Sequence, residues 1–202
     1  MRTRFEIIGV LVLLTFLGGI ITAPIGPSIK RDPPSQVMQT SRTIAVALFG
    51  YANDNEGRYP EGRSSTEVFQ QLMDGKYISD AKIFYVKQPG KVRSEGGPLK
   101  PENVSYDVTC CGDAATPGDL PLVFLTGYVI DYVPGARATP RASNAGVWAR
   151  WWNGVDELKG CLPVAYFNHT ARVLRADESG AFPDFIPIDF NAKGRIYRQL
   201  TP

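Results

Sequence analysis

Residues 7–29 read IIGVLVLLTFLGGIITAPIGPSI, a run without one charged side chain. From Ile7 to Ala23 it is almost wholly apolar. A helix rising ~1.5 Å per residue would carry that part about 25 Å, close to a ~30 Å hydrocarbon core. Thr15 and the Gly18-Gly19 pair are compatible with such a span, because a helix satisfies its own backbone groups in lipid. Ile7, Ile8, Val10, Leu11, Leu13, Leu14, Phe16, Leu17, Ile20 and Ile21 would supply the apolar surface of a membrane anchor. Arg2 and Arg4 precede the run, so the positive-inside rule makes residues 1–6 a short cytoplasmic leader. Residues 7–29 become the transmembrane or spine helix, and 30–202 a single exported domain.

Two rivals compete for this stretch. A cleaved signal peptide would end at small residues, and Thr22-Ala23 are small; but Pro24 follows them, and the apolar run exceeds the usual core of ~7–15 residues. A buried helix of a soluble protein fits poorly with the flanking arginines. No Cys lies near the end of the run, so a lipid-modified Cys is excluded.

The remainder has the length of one domain with a real core. Charged residues make up 21% of the chain and aromatics 11%, which is globular composition rather than disordered. Taking Arg2, Arg4 and Glu6 from the 22 basic and 20 acidic residues leaves 20 and 19, a balance that gives no support for nucleic acid as a partner. Cys110, Cys111 and Cys161 fall in the exported part, where disulfides persist. A bridge from the 110–111 pair to Cys161 would close a loop of about 50 residues, for ~3–4 kcal/mol. With a single His and no second close Cys pair, the spacing fits no zinc pattern.

Past the prolines at 24, 27, 33 and 34, Ser35 stands where an N-cap is expected. Val37, Ser41, Ile44, Ala45, Leu48 and Ala52 recur at three- and four-residue steps, one narrow apolar stripe that predicts a helix from Ser35 to about Asn53 packed on a sheet. Asn55 or Gly57 is placed to take a left-handed cap. Ser64 and Glu67 have capping-box spacing before a second helix whose Val68, Phe69, Leu72 and Met73 face inward, with Gly75 as its stop. Ile83-Phe84-Tyr85-Val86 reads as a strand and 87–103 as a surface loop. The β half begins with Asn103–Val108, alternating like a half-buried strand. Strand runs follow at 121–125 and 128–133, then a long irregular stretch over 134–160. Leu162–Phe167 and Ala171–Leu174 flank Asn168-His169-Thr170 as a tight hairpin. The Pro-interrupted tail from Asp177 is expected to drape over the surface. The fold class is α+β, a long N-terminal helix on an antiparallel sheet.

The helix ends in Tyr51-Ala52-Asn53-Asp54-Asn55-Glu56-Gly57-Arg58-Tyr59-Pro60. This block, of the form Y-x-x-D-N-x-G-x-Y-P, resembles the turn by which the spine helix ends in type II secretion major pseudopilins and their type IV pilin-like relatives. Val68-Phe69, Leu72, Tyr77–Asp80 and Phe84 are similar to the segment that follows it, and Asn103–Tyr106 and Val164–Leu174 to strands of their sheet. The resemblance implies a pilin-like fold, placement in a bacterial inner membrane with the head outside the cytoplasm, and other pilin-like subunits or secretion machinery as partners. It does not extend to the processing signal: Phe5 follows Arg4 where prepilins have Gly, and Glu6 comes immediately after Phe5.

Catalytic chemistry finds little footing. His169 lies in the hairpin turn, and pairing it with Cys110 or Cys111 as nucleophile would need an orienting third group; the plainer reading is a solvent-exposed turn residue. No cofactor is expected. The resemblance raises calcium on a C-terminal loop, for which Asp177, Glu178, Asp184 and Asp189 are the oxygen donors at hand, without EF-hand spacing. Trp148, Arg150, Trp151 and Trp152 form an aromatic-cationic cluster suited to a glycan or protein partner, or to pinning its own loop. The expectation is a non-catalytic, membrane-anchored structural protein. The alternative is an exported envelope binding module using the Trp148–Trp152 loop.

Overall fold

A computed structural model describes residues 32–110, 112–113, 115–129, 141–142, 158, 160–178, 182, 185 and 196–202. These belong to one compact unit, Asp32–Pro202. The anchor run 7–29, Cys111, Trp148, Arg150, Trp151, Trp152, Asp184 and Asp189 lie outside the described residues. Among those described, no helix is long and apolar enough to cross a membrane.

Helix α1 spans Pro33–Asp54 and buries Pro34, Val37, Ser41, Ile44, Ala45, Leu48 and Ala52, the stripe its periodicity predicts plus one proline. Its start corrects the expected Ser35 cap. Asp32 is the N-cap, and both prolines sit in the first turn, where a missing N–H costs nothing because that group has no helical partner. At the other end Gly57 takes a positive φ of 80° and its N–H reaches the Ala52 carbonyl at 2.7 Å, while Glu56 also adopts a left-handed backbone. Helix α2 spans Ser65–Asp74, with the Ser64 hydroxyl accepting from the Glu67 N–H at 3.2 Å. The Glu67 carboxylate returns not to Ser64 but to the N–H of Arg63, at 2.8 Å. Gly75 ends α2 without turning left-handed; Lys76 does that, with φ 62°. A Cβ on Gly75 would meet the Tyr77 ring at 2.6 Å, so close packing selects glycine there.

Five strands form the main antiparallel sheet: β1 Tyr106–Cys110, β2 Pro121–Leu125, β5 Cys161–Tyr166, β6 Ala171–Arg175 and β7 Arg198–Leu200, in the order β6-β5-β2-β1-β7. Two short strands, β3 Tyr128–Val129 and β4 Arg141–Ala142, pair separately. Helix α1 lies across β5, with β6 and β2 beside it, and α2 packs on β1. The α+β class with an antiparallel sheet therefore stands, and the amphipathic helix packs on it as expected. Ile44, Leu48, Phe69 and Leu72 are at most 1% exposed, each worth about 1.5–3 kcal/mol by burial.

Four expectations need correction. The strand-like Ile83–Val86 is instead a 3-10 turn over Ala81–Phe84, because the Asp80 side chain caps the Lys82 N–H at 2.9 Å and closes the chain locally. The strand expected from Asn103 starts at Tyr106 and is buried on both faces rather than half-buried. The tail does not simply drape: Phe182, Phe185, Tyr197 and Leu200 are buried, and β7 pairs with β1 from Val108↔Leu200 to Cys110↔Arg198. The Cys110–Cys161 bridge is ruled out by register. Extending Val108↔Val123 brings Cys110 level with Pro121, which pairs with Tyr166, five residues along β5 from Cys161. That is about 16 Å along the strands and two spacings of ~4.8 Å across them, against the ~7 Å a disulfide can span between Cα atoms. Both cysteines are buried, and they are not joined to each other.

Candidate functional site

Alternation along β1 sends Tyr106, Val108 and Cys110 to one face of the sheet and Asp107 and Thr109 to the other. The first set lies under the helices, with Tyr106 beside Thr40 of α1. Arg198 ties this face to the loop before α2: its Nε donates to the Cys110 sulfur at 3.0 Å and its Nη2 to the Gly62 carbonyl at 3.4 Å. On the far face Gln199 extends to Asp107 Oδ2 and to the Tyr128 carbonyl, both at 2.5 Å from Nε2. Asp107 is fully buried, and burial pushes its carboxyl up to about 7 despite the Thr126 and Gln199 side chains and the Lys91 charge, which favour its ionised form. Phe124 meets Phe185, and Tyr128 meets Phe182, edge to face over this layer.

The hairpin places His169 at φ 62° with its ring against Phe49 of α1, centroids 4.2 Å apart. Its Nε2 is buried without a hydrogen-bond partner, so the expected solvent-exposed turn residue is in fact half-covered. Cys110 looks instead toward Arg198, so the structure does not assemble a pair of His169 with Cys110; the Cys111 alternative lies outside the described residues. Asp177 and Glu178 stand just past the end of β6, and among the described residues no three His, Cys, Asp or Glu side chains converge on one point.

The described surface does have an open cleft of about 520 Å³ where α1 leaves the sheet. Tyr51, Asp54, Glu56, Arg58, Tyr59 and Glu61 line it, with Asn55 and Gln71. The helix-end turn builds it, since Gly57 reverses the chain and a backbone bridge pairs Arg58 with Asp113. Tyr59 then turns inward, 9% exposed, with its ring 5.0 Å from Phe167. Other polar groups are tied down within the site. The Tyr77 hydroxyl donates to Asp54 Oδ2 at 2.7 Å, and that carboxylate raises the tyrosine above its ordinary range. Asn55 donates to the Tyr51 carbonyl at 2.7 Å and Gln71 to the Glu61 carbonyl at 2.6 Å. Arg58 lies 4.0 Å from Glu56.

Reading the sequence located this turn through its likeness to a helix-end signature but gave its side chains no role. The signal was present: three acidic residues and two tyrosines within eleven positions beside a left-handed glycine. Asp107 and Gln199 carried no comparable signal, being partners across 92 positions. Comparison with protein-family models, with curated proteins and with solved structures returns no match at all.

Proposed function

We propose that this chain is a membrane-anchored, non-catalytic structural subunit of the pilin-like type, working through helix packing and lateral contacts of its head in a secretion or pilus-like assembly. The observation that carries the reading is α1 itself. It is an amphipathic helix laid by one apolar stripe across an antiparallel sheet, and it leaves through the Tyr51–Pro60 turn. It also begins two residues past the charge-free run ending at Ile29 and the basic Lys30-Arg31 pair. An apolar rod continuous in sequence with a sheet-packed helix suits a head held at a membrane, where the bilayer or a bundle of like helices covers the rod.

Fractionation tests this. Full-length chain made in a bacterial host is expected to pellet with membranes, resist high-salt extraction and dissolve in detergent. A chain beginning at Asp32 is expected to stay soluble and unfold cooperatively. Full-length chain recovered from the cytosol without detergent, or aggregation of the shortened chain, would sink the proposal.

A further inference from the structure

We propose that the cleft at the end of α1 binds an organic cation bearing several N–H donors, an ammonium or guanidinium group carried by a basic side chain of another protein or by a free polyamine. Three features of the cleft select that chemistry. First, among the described residues that line it, Asp54, Glu56 and Glu61 stand with one cation, Arg58, a formal excess of two negative charges. Second, its carboxylates do not converge: among the described residues no trio of metal-type ligands forms, so a monatomic ion finds no shell here. A cavity of about 520 Å³ with spread acceptors suits an extended cation instead. Third, the Asn55 and Gln71 amides and the Tyr77 hydroxyl already donate within the site, leaving acceptors in surplus.

Tyr59 is the independent pointer. It is nine-tenths buried, yet its hydroxyl makes no hydrogen bond and is not sealed from solvent, so it opens into the cleft it lines. A hydroxyl that no protein group engages is free to meet an N–H donor of a ligand in place of water. With Tyr51 it also offers an aromatic ring, and rings attract ammonium and guanidinium groups within about 6 Å. This assignment does not depend on the pilin-like reading, because the cleft lies wholly within the described head.

The test is calorimetric titration of the full chain in nonionic detergent micelles with four probes: spermidine, a short arginine-containing peptide with capped ends, calcium chloride and maltose. Spermidine, the peptide or both are expected to bind, with affinity falling as salt is raised because the attraction is screened. A tenfold preference for the peptide assigns the site to a protein side chain; the reverse preference assigns it to a free polyamine. The double substitution of Asp54→Asn with Glu61→Gln is expected to weaken cation binding at least tenfold. Tyr59→Phe keeps the ring against Phe167 and removes only the hydroxyl, and is expected to weaken binding about threefold to tenfold, the range of one hydrogen bond. Unchanged thermal unfolding in these variants locates the loss in the cleft. Failure of both cations to bind overturns the proposal, as does calcium or maltose binding as tightly, or full affinity in the double variant.

Discussion

Beneath α1 and α2 the sheet presents Tyr106, Val108 and, by register, Leu125; its opposite face presents Asp107, Thr109 and Phe124. Helices carrying Ile44, Leu48, Phe69 and Leu72 close the first face. The second is closed by Phe182, Phe185 and Tyr128 and by the carboxamide of Gln199. One side is thus apolar layer on apolar layer. The other buries a carboxyl whose partner comes from the far end of the chain. The difference separates a core encoded locally, by helical period, from one encoded by long-range strand pairing.

If both faces are true cores, emptying either must cost alike. Phe185→Ala removes a ring that is 0% exposed, and is expected to cost about 3–5 kcal/mol. Leu48→Ala, at 1% exposure under α1, is expected to cost about 2–5 kcal/mol. Urea unfolding of the full chain in micelles measures both. A loss below about 1 kcal/mol for Phe185→Ala would mean the tail merely rests on the sheet, and the comparison would break there.

Asp107 sharpens it through pH. Its folded carboxyl is raised from 3.8 to about 7, so the folded state holds a proton that the unfolded chain has released. The stability this gives is fully present below pH 3.8 and is lost as pH rises through about 7, at about 1.4 kcal/mol per pH unit between those values, a few kcal/mol in all. Asp107→Asn copies the protonated shape and cannot ionise. We expect the variant to be the more stable at pH 8, with the gap closing toward pH 4. Parallel stability curves for the two proteins would show that the far face tolerates charge as readily as solvent does.

These two faces were not equally readable. The stripe Val37, Ser41, Ile44, Ala45, Leu48, Ala52 was legible because helix side chains three and four apart share a face whatever lies beneath them. The 168–170 hairpin was legible for the same local reason, with Asn168 accepting from the Thr170 N–H at 3.0 Å. β7 was not, since Arg198–Leu200 is three residues long and becomes a strand only by pairing with β1. Asp107 inside an otherwise strand-like run looked like an outward residue, because alternation assumes one wet face and this sheet has none at β1. The Ser35 cap failed for a smaller reason: two prolines can open a helix as well as end one. In the candidate site, the turn was found by its residue pattern, but Tyr59's inward swing depends on Phe167, more than a hundred positions later.

Close packing around α2 gives a smaller effect. Gly75→Ala would drive a Cβ to 2.6 Å from the Tyr77 ring and 3.2 Å from the Gln71 carbonyl. The ring is held by its bond to Asp54 and by Tyr51, 5.6 Å away, so it cannot simply swing aside. We expect a loss of about 1–3 kcal/mol, the usual cost of overpacking. Alanine otherwise favours helix over glycine by up to about 1 kcal/mol. A net gain in stability would therefore show the Tyr77–Asp54 contact to be loose, and would leave the locally encoded side of the molecule softer than its helices suggest.

The smallest expected effect tests local encoding at its finest. Ser64 and Asp32 both occupy N-caps and both are residue types suited to the role, so sequence alone ranks them together. Their geometry differs. The Ser64 hydroxyl accepts from the Glu67 N–H, whereas the exposed Asp32 carboxylate lies near Ser35 without closing a cap bond, and its carbonyl accepts from the Gln36 N–H at 3.1 Å. Ser64→Ala is then expected to cost about 1 kcal/mol, and Asp32→Ala distinctly less, leaving only a helix-dipole attraction that added salt would screen. Equal losses at the two positions, read by the same urea unfolding, would mean that cap identity rather than the bond itself sets the stability of these helix starts.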